Sequence, residues 1–351
     1  MVKKVCWHSS FGEIEVIEPI FRRLGQQLRP FLNTSELTNR CCSAPLQRII
    51  TDFGADHAFG QVSSKRQEHY GIQMPVSTIR KITEFHAKKM HNQRKVLPFP
   101  RGLGCQQQIA EIDGCMLPII TVREDQGDRR KNKALHWKEA RLALVHEQGN
   151  VSPTFDATFD EGVNAAGQSL LNCAILAGLG VNTKIHGVGD GASWIETQMK
   201  EKFKSKTSYL IYFYHICEYL ADASEGCSAN NRRWIETQKA HLKDNQYPLV
   251  IKNLKPHLEP DDVENTKAPV RACHRYLSNR TNQLDYKGAI EEGVPIGSRE
   301  IESAHRYVIQ KRLKLSGAWW KVENVRPMLT LRIVRANEEW ESYWSTSAIA
   351  A

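Results

Sequence analysis

The segment from Gln108 to about Ile216 constrains the fold most, because its apolar residues change period in a fixed order. Residues 108–112 read as a short strand, Asp113-Gly114 as a hairpin dipeptide, and residues 115–122 as a second strand. A polar loop, Arg123 to Lys133, leads to a third strand over residues 137–146, which offers Trp137, Leu142, Leu144 and Val145 to a core. A long helix over about 161–178 follows. After it come a strand at 184–188, a helix at 193–203, a strand at 209–213 and a helix starting near Ile216. Three strands joined antiparallel-fashion, then helix, strand, helix, strand and helix, predict an α/β domain whose mixed sheet carries helices on both faces.

Outside this segment the pattern is helical. Residues 58–90 form two helical segments separated by Gly-Ile-Gln-Met-Pro, a helix-turn-helix outline. Ser77 or Thr78 is expected to cap the second helix. Ile79 and Ile82 share one of its faces, and Arg80, Lys81, Lys88 and Lys89 lie toward solvent, placed to meet phosphates. Two amphipathic helices around a turn also occur in ordinary helical domains. Residues 94–107, with two prolines and two glycines, read as a linker. Residues 216–290 are polar and helical, cut by Pro248, Pro256, Pro260 and Pro269, and predict an all-α insertion. Helices over about 299–315 and 325–344 close the chain. The expected organisation is an unassigned segment 1–45, a helical DNA-binding domain 46–105, the first part of the sheet domain 106–215, the insertion 216–290, and completion of the core with C-terminal helices at 291–351.

Charge supports that division. Residues 1–105 hold 16 Lys/Arg against 8 Asp/Glu, whereas the other 246 residues hold 32 against 31. A basic third on a nearly neutral body is the footprint of a polyanion-binding module; the plainer reading is a solvated basic surface. The longest apolar stretch, residues 170–181, is too short to cross a bilayer, and the N-terminus lacks an apolar signal core, so no membrane partner and a cytoplasmic location are expected. Nine cysteines without a C-x-x-C pair suggest reduced thiols, and neither Cys41-Cys42 nor Cys273-His274 has partners at zinc spacing.

The strand and helix order matches the ribonuclease-H-like topology, in which the first and fourth strands are neighbours at the sheet centre. Asp113 is expected at the end of the first and Asp190 at the end of the fourth, with glycines at 187, 189 and 191 letting the backbone turn sharply. Hard carboxylate ligands so placed suit two-metal phosphodiester chemistry. Taken singly, Asp113 is as easily a turn residue and Asp190 a helix N-cap. Among helix carboxylates downstream, Glu291, Glu300 and Glu302 remain equal candidates for a third ligand.

The blocks EIDGCMLPII, HWKEARLALVH, GDGASWI, FYHICEYL, PIGSREIESAHRYVIQKRLKLSGAWW and MLTLR resemble, in order from about Leu46 to Trp344, the signature blocks of the Kra-four insertion-sequence family of bacterial DDE-type transposases. That resemblance implies a catalytic, metal-binding triad of Asp113, Asp190 and Glu302 holding two Mg²⁺ or Mn²⁺ ions. It also implies double-stranded DNA as partner, both terminal repeats and target, with at least a dimer on DNA that is nucleoid-associated when bound. His215 resembles a secondary residue that holds the scissile phosphate or the metal site. Lys311, Arg312 and Lys314, on the helix of Glu302, are expected at the DNA backbone. The 112 residues from Asp190 to Glu302 (302 − 190) leave room for the helical insertion.

Two positions depart from the family blocks. Tyr212 stands where an aspartate is usual, removing a carboxylate that would orient His215. Arg299 replaces a glycine one turn before Glu302, where it either pairs with that glutamate or meets a DNA phosphate. Trp319 and Trp320 are read as packing residues rather than base-stacking platforms. The competing functions are a catalytically inactive, transposase-derived DNA-binding protein and a metal-dependent nuclease on the same fold.

Overall fold

The computed structural model describes residues 2–23, 26–34, 42–122, 132–297 and 299–349. The chain divides into two compact units: Met1–Lys95, Met116–Glu139 and His305–Ala351 form the first, Val96–Cys115 and Ala140–Ala304 the second. The first begins with an antiparallel hairpin of β1 (Val2–Ser9) and β2 (Gly12–Pro19), a short ribbon of β3 (Phe21–Arg23) and β4 (Gln26–Leu28), and α1 (Pro30–Thr34). Only Val5 and Ser9 on β1 and Glu18 on β2 are buried, so no inward-outward alternation marks these strands in the sequence. Three helices follow, α2 (Ala44–Asp56), α3 (Phe59–Tyr70) and α4 (Val76–Gln93), packed through Leu46, Ile50, Val62, Ile79 and Ile82. The turn between α3 and α4 falls where Gly71 takes a left-handed φ of 64°. Ser77 and Thr78 do not cap α4, because Pro75 occupies the cap and both lie within the first turn.

The sheet contains β5 (Gln107–Val122), β6 (Lys133–Glu147) and β7 (Thr154–Phe159), then α5 (Gly162–Leu176), β8 (Lys184–Gly189), α6 (Ser193–Phe203), β9 (Thr207–Ile211) and α7 (Phe213–Cys227). Strand order is β7-β6-β5-β8-β9, with β6–β7 antiparallel and β5–β8 and β8–β9 parallel. Asp113-Gly114 is not a hairpin but the middle of one 16-residue strand. Pairing of Gln107–Glu111 with β8 on one side of the dipeptide and burial of Leu117 and Ile119 on the other carry the strand straight through it. The third strand is instead β7, whose polar Asp156 and Thr158 are as buried as its phenylalanines and so disguised it. Residues 123–131 of the expected loop, and Ser298, lie outside the described residues.

Period two assigns the faces of β5 and β8. Ala110, Ile112 and Ile185 pack with α5 and α6, while Ile109 and, at the end of β9 where the alternation breaks, both Leu210 and Ile211 pack with α7 and the inserted helices α8 (Asn231–Lys243), α9 (Tyr247–Leu254), α10 (Pro269–Ser278) and α11 (Tyr286–Glu291). Pro248 and Pro269 stand in the first turns of α9 and α10, where a missing N–H costs nothing. The chain then forms α12 (Arg299–Ala304), a π-helical segment His305–Gln310 and α13 (Lys311–Leu313), in place of one uniform helix. The last expected helix is two, α14 (Val322–Ala336) and α15 (Trp340–Ile349), separated where Glu338 takes a φ of 60°. Among the described residues, no helix is long and apolar enough to cross a membrane.

Candidate active site

The two aspartates follow paired positions of neighbouring strands. β5 and β8 pair in parallel with Ile109 opposite His186 and Glu111 opposite Val188, so two residues further along each chain stand Asp113 and Asp190. Odd-numbered residues of β5 share the face of Ile109, and on β8 it is Ile185 that faces α5 and α6. On that period Asp113 falls on the face of Ile109, and Asp190 follows directly after the end of β8. Both are half-buried, and Asp113 lies within its strand rather than at its end.

The turn after β8 is clamped. Asp190 Oδ1 accepts the Ala192 N–H at 2.8 Å, and the Tyr276 hydroxyl donates to the Asp190 carbonyl at 2.6 Å. Arg280 Nε donates to the Gly191 carbonyl at 2.9 Å, and the Gly191 N–H donates to the Tyr209 hydroxyl at 3.1 Å. Gly191 has a φ of +81°, and a Cβ there would collide with the Tyr276 hydroxyl. Gly187 does not turn the backbone at all; it sits within β8, against the Met199 methyl.

Glu302 is exposed on α12, and that helix is anchored to β5 through a buried carboxylate. Glu111, 1% exposed, accepts the Ile301 N–H at 3.1 Å, holding the residue beside Glu302 two positions from Asp113. Burial, together with neighbouring Glu300 and Glu302, pushes the Glu111 carboxyl up to about 8. His146 Nε2 lies 3.0 Å from Glu300 Oε2. That contact holds Glu300 below its ordinary value; burial works to lower His146, but the Glu300 carboxylate and the Glu147 carbonyl carry it higher. Glu111, His146, Tyr276 and Arg280 were not foreseen. The one signal was a glutamate inside a strand buried on both faces.

His215 lies in the first turn of α7, its ring 5.4 Å from Tyr219 and 5.6 Å from Tyr276, the tyrosine that clamps Asp190. Its Nδ1 is 3.4 Å from Glu218, a carboxylate at hand although Tyr212 supplies none. Arg299 places its guanidinium 5.9 Å from the Tyr214 ring. In the first unit, Arg80, Lys81, Lys88, Lys311 and Lys314 are exposed, Lys89 is half-buried 6.0 Å from the Tyr343 ring, and Lys311 also pairs with Asp56 at 2.9 Å. Arg312 is placed differently from the expected backbone contact. It is 2% exposed, donates to the Gly54 carbonyl at 2.9 Å and lies between the Phe59 and Trp320 rings.

Three carboxylates on two neighbouring strands and a helix are hard oxygen donors of the kind Mg²⁺ and Mn²⁺ take. Their ligand atoms do not all lie within 4.8 Å of one another. No protein-family model matches the sequence, and no curated protein matches it.

Proposed function

We propose that the chain is a DDE-type transposase of the Kra-four kind on a ribonuclease-H-like core, binding element ends and cutting and joining DNA. The observation that carries this reading is the parallel β5–β8 register, whose last pair, Glu111 opposite Val188, comes two residues before Asp113 and Asp190. The strand order β7-β6-β5-β8-β9 and the anchoring of α12 to Glu111 support it further. Asp113, Asp190 and Glu302 would hold two Mg²⁺ or Mn²⁺ ions, whose role when bound is to stabilise the attacking and leaving oxygens of the phosphodiester. Tyr276 and Arg280 fix the Asp190 turn, and His215, whose ring packs against Tyr276, would serve the scissile phosphate. Arg80, Lys81, Lys88 and Lys314 offer exposed cations to the duplex, which a homodimer in the cytoplasm would pair end to end.

The test is cleavage of a labelled duplex carrying the terminal repeat, with Mg²⁺ or Mn²⁺, comparing the full chain with Glu302→Gln. Metal-dependent nicking and joining, lost in the variant while gel-shift retention persists, is the expected result. Retention without nicking by the unaltered chain would overturn it in favour of a DNA-binding protein, and nicking without joining would favour a nuclease.

A further inference from the structure

The N-terminal hairpin holds a second set of metal-ligating side chains. Cys6 and His8 lie two apart on β1, hence on one face, and Glu13 on β2 stands directly opposite His8 in the ladder. The Cys6 thiol is 3.6 Å from Glu13 Oε2, His8 Nδ1 is 3.1 Å from Glu13 Oε1, and the three residues' ligand atoms lie within 4.8 Å of one another. Among the described residues no other three His, Cys, Asp or Glu side chains converge so closely.

We propose that Cys6, His8 and Glu13 form a zinc site that staples the hairpin. Sulfur, imidazole nitrogen and carboxylate oxygen are the donors Zn²⁺ takes, and its bonds of about 2.3 Å to sulfur and about 2.1 Å to nitrogen and oxygen place tetrahedral ligand atoms about 3.4–3.6 Å apart. The separations of 3.6 and 3.1 Å already approach that spacing. Water fills the fourth position.

The hairpin's own construction supplies the reason for a staple. An isolated two-stranded ribbon is marginal in water, and this one buries only three of its sixteen strand residues, Val5, Ser9 and Glu18. Its tip is fixed locally, with the Ser9 hydroxyl donating to the Gly12 carbonyl at 2.9 Å and accepting the Phe11 N–H at 3.1 Å. One further tie is the Ser43 N–H, which donates to the His8 carbonyl at 2.8 Å at the start of α2. A metal gripping His8 therefore joins both strands at the point where the hairpin meets the helices. The site uses none of the triad residues and depends on no reading of them.

The test is zinc content of the full chain after saturation with Zn²⁺ and gel filtration, together with the absorption spectrum of the Co²⁺-loaded protein. Close to one zinc per chain, and a sulfur-to-cobalt charge-transfer band, are expected for the unaltered protein. Cys6→Ser and His8→Ala should each lose both signals, at least tenfold in bound metal, while Glu302→Gln keeps them. Zinc-free unaltered protein, or Cys6→Ser that keeps its zinc and its band, overturns the proposal. Because the three side chains lie at the surface, Glu13→Gln serves as a conservative third variant whose circular dichroism should match the parent's while its zinc is lost.

Discussion

In the unit built from the N-terminal and C-terminal helices, three guanidinium groups are taken out of water; in the sheet unit the buried ionisable groups are carboxylates and imidazoles. Arg66, Arg312 and Arg332 are buried in the first beside Glu18, His86 and His305, and Glu111, Asp156, His146 and His186 in the second. Arg312 and Arg332 are tied into the backbone, donating to the carbonyls of Gly54 and Val308 at 2.9 and 3.0 Å, and Arg332 pairs with Asp56. Burial works to raise Asp56, but Lys311 and Arg332 hold it below its ordinary range. Those arginines bind separate stretches of chain into one core. In the sheet unit, by contrast, Glu111, His146 and Glu300 gather at the α12 turn, ionisable groups crowded at one point instead of spread through separate pairs.

The largest effect should come from cutting an internal arginine. Arg332→Met leaves Asp56 facing a partly buried gap and should cost about 3 kcal/mol by urea unfolding, the scale of a broken buried pair. A loss under about 1 kcal/mol would mean Arg332 is no tie at all. The counterpart in the sheet unit is Gly191→Ala, whose Cβ meets both a left-handed φ and the Tyr276 hydroxyl. Strain of about 1–2 kcal/mol at the Asp190 turn should lower metal-dependent cleavage by about tenfold with DNA retention unchanged. Full activity would detach that turn from the chemistry.

Acid should act on the helical unit next. His86 accepts or donates at 2.8 Å to both Tyr343 and Gln47, and burial drives its pKa from 6.5 down to about 3. The folded state then binds fewer protons than the unfolded one between those values. Stability is kept above about pH 6.5 and lost as pH falls toward 3, by at most about 1.4 kcal/mol per pH unit. Thermal melts of His86→Gln should show a flatter acid limb; an unchanged limb would assign the loss to other groups. The smallest effect is the sharpest division between the two uses of positive charge. Replacing Arg80, Lys81 and Lys88 with alanine should reduce the salt slope of DNA binding by about 0.9 for each phosphate that is no longer neutralised, with melting unchanged. Arg312→Met should do the reverse.

α3 and α4 announce themselves by periodicity and by Gly71 and Pro75, and β8, α6 and β9 fall close to their expected limits. β8 and β9 are buried on both faces but carry few polar residues to blur them. Elsewhere the signal fails: β7 hid behind Asp156 and Thr158, and β5 was cut in two by a dipeptide whose turn preference is weaker than the pairing around it. The hairpin gave no signal because so little of it is buried. Strand order suggests Asp113 and Asp190 as a pair, whereas the proposal of Glu302 over Glu300 and Glu291 rests on the family resemblance alone. Glu300 is occupied by His146, a contact across 154 residues (300 − 146) that no local pattern encodes.

Tyr276 and Arg280, which hold the Asp190 turn, come from the inserted helices and their edge. The insertion is therefore a buttress and not an ornament, and a minimal version of this protein cannot be made by excising it. The stretch 255–268, which links α9 to α10, is itself tied to that helix, Glu259 accepting the Val270 and Arg271 N–H groups at 2.9 and 2.8 Å. Divergence in this part of the chain should thus spare α10 and the Glu259 side chain that receives its first N–H groups, so that the Asp190 turn keeps its place.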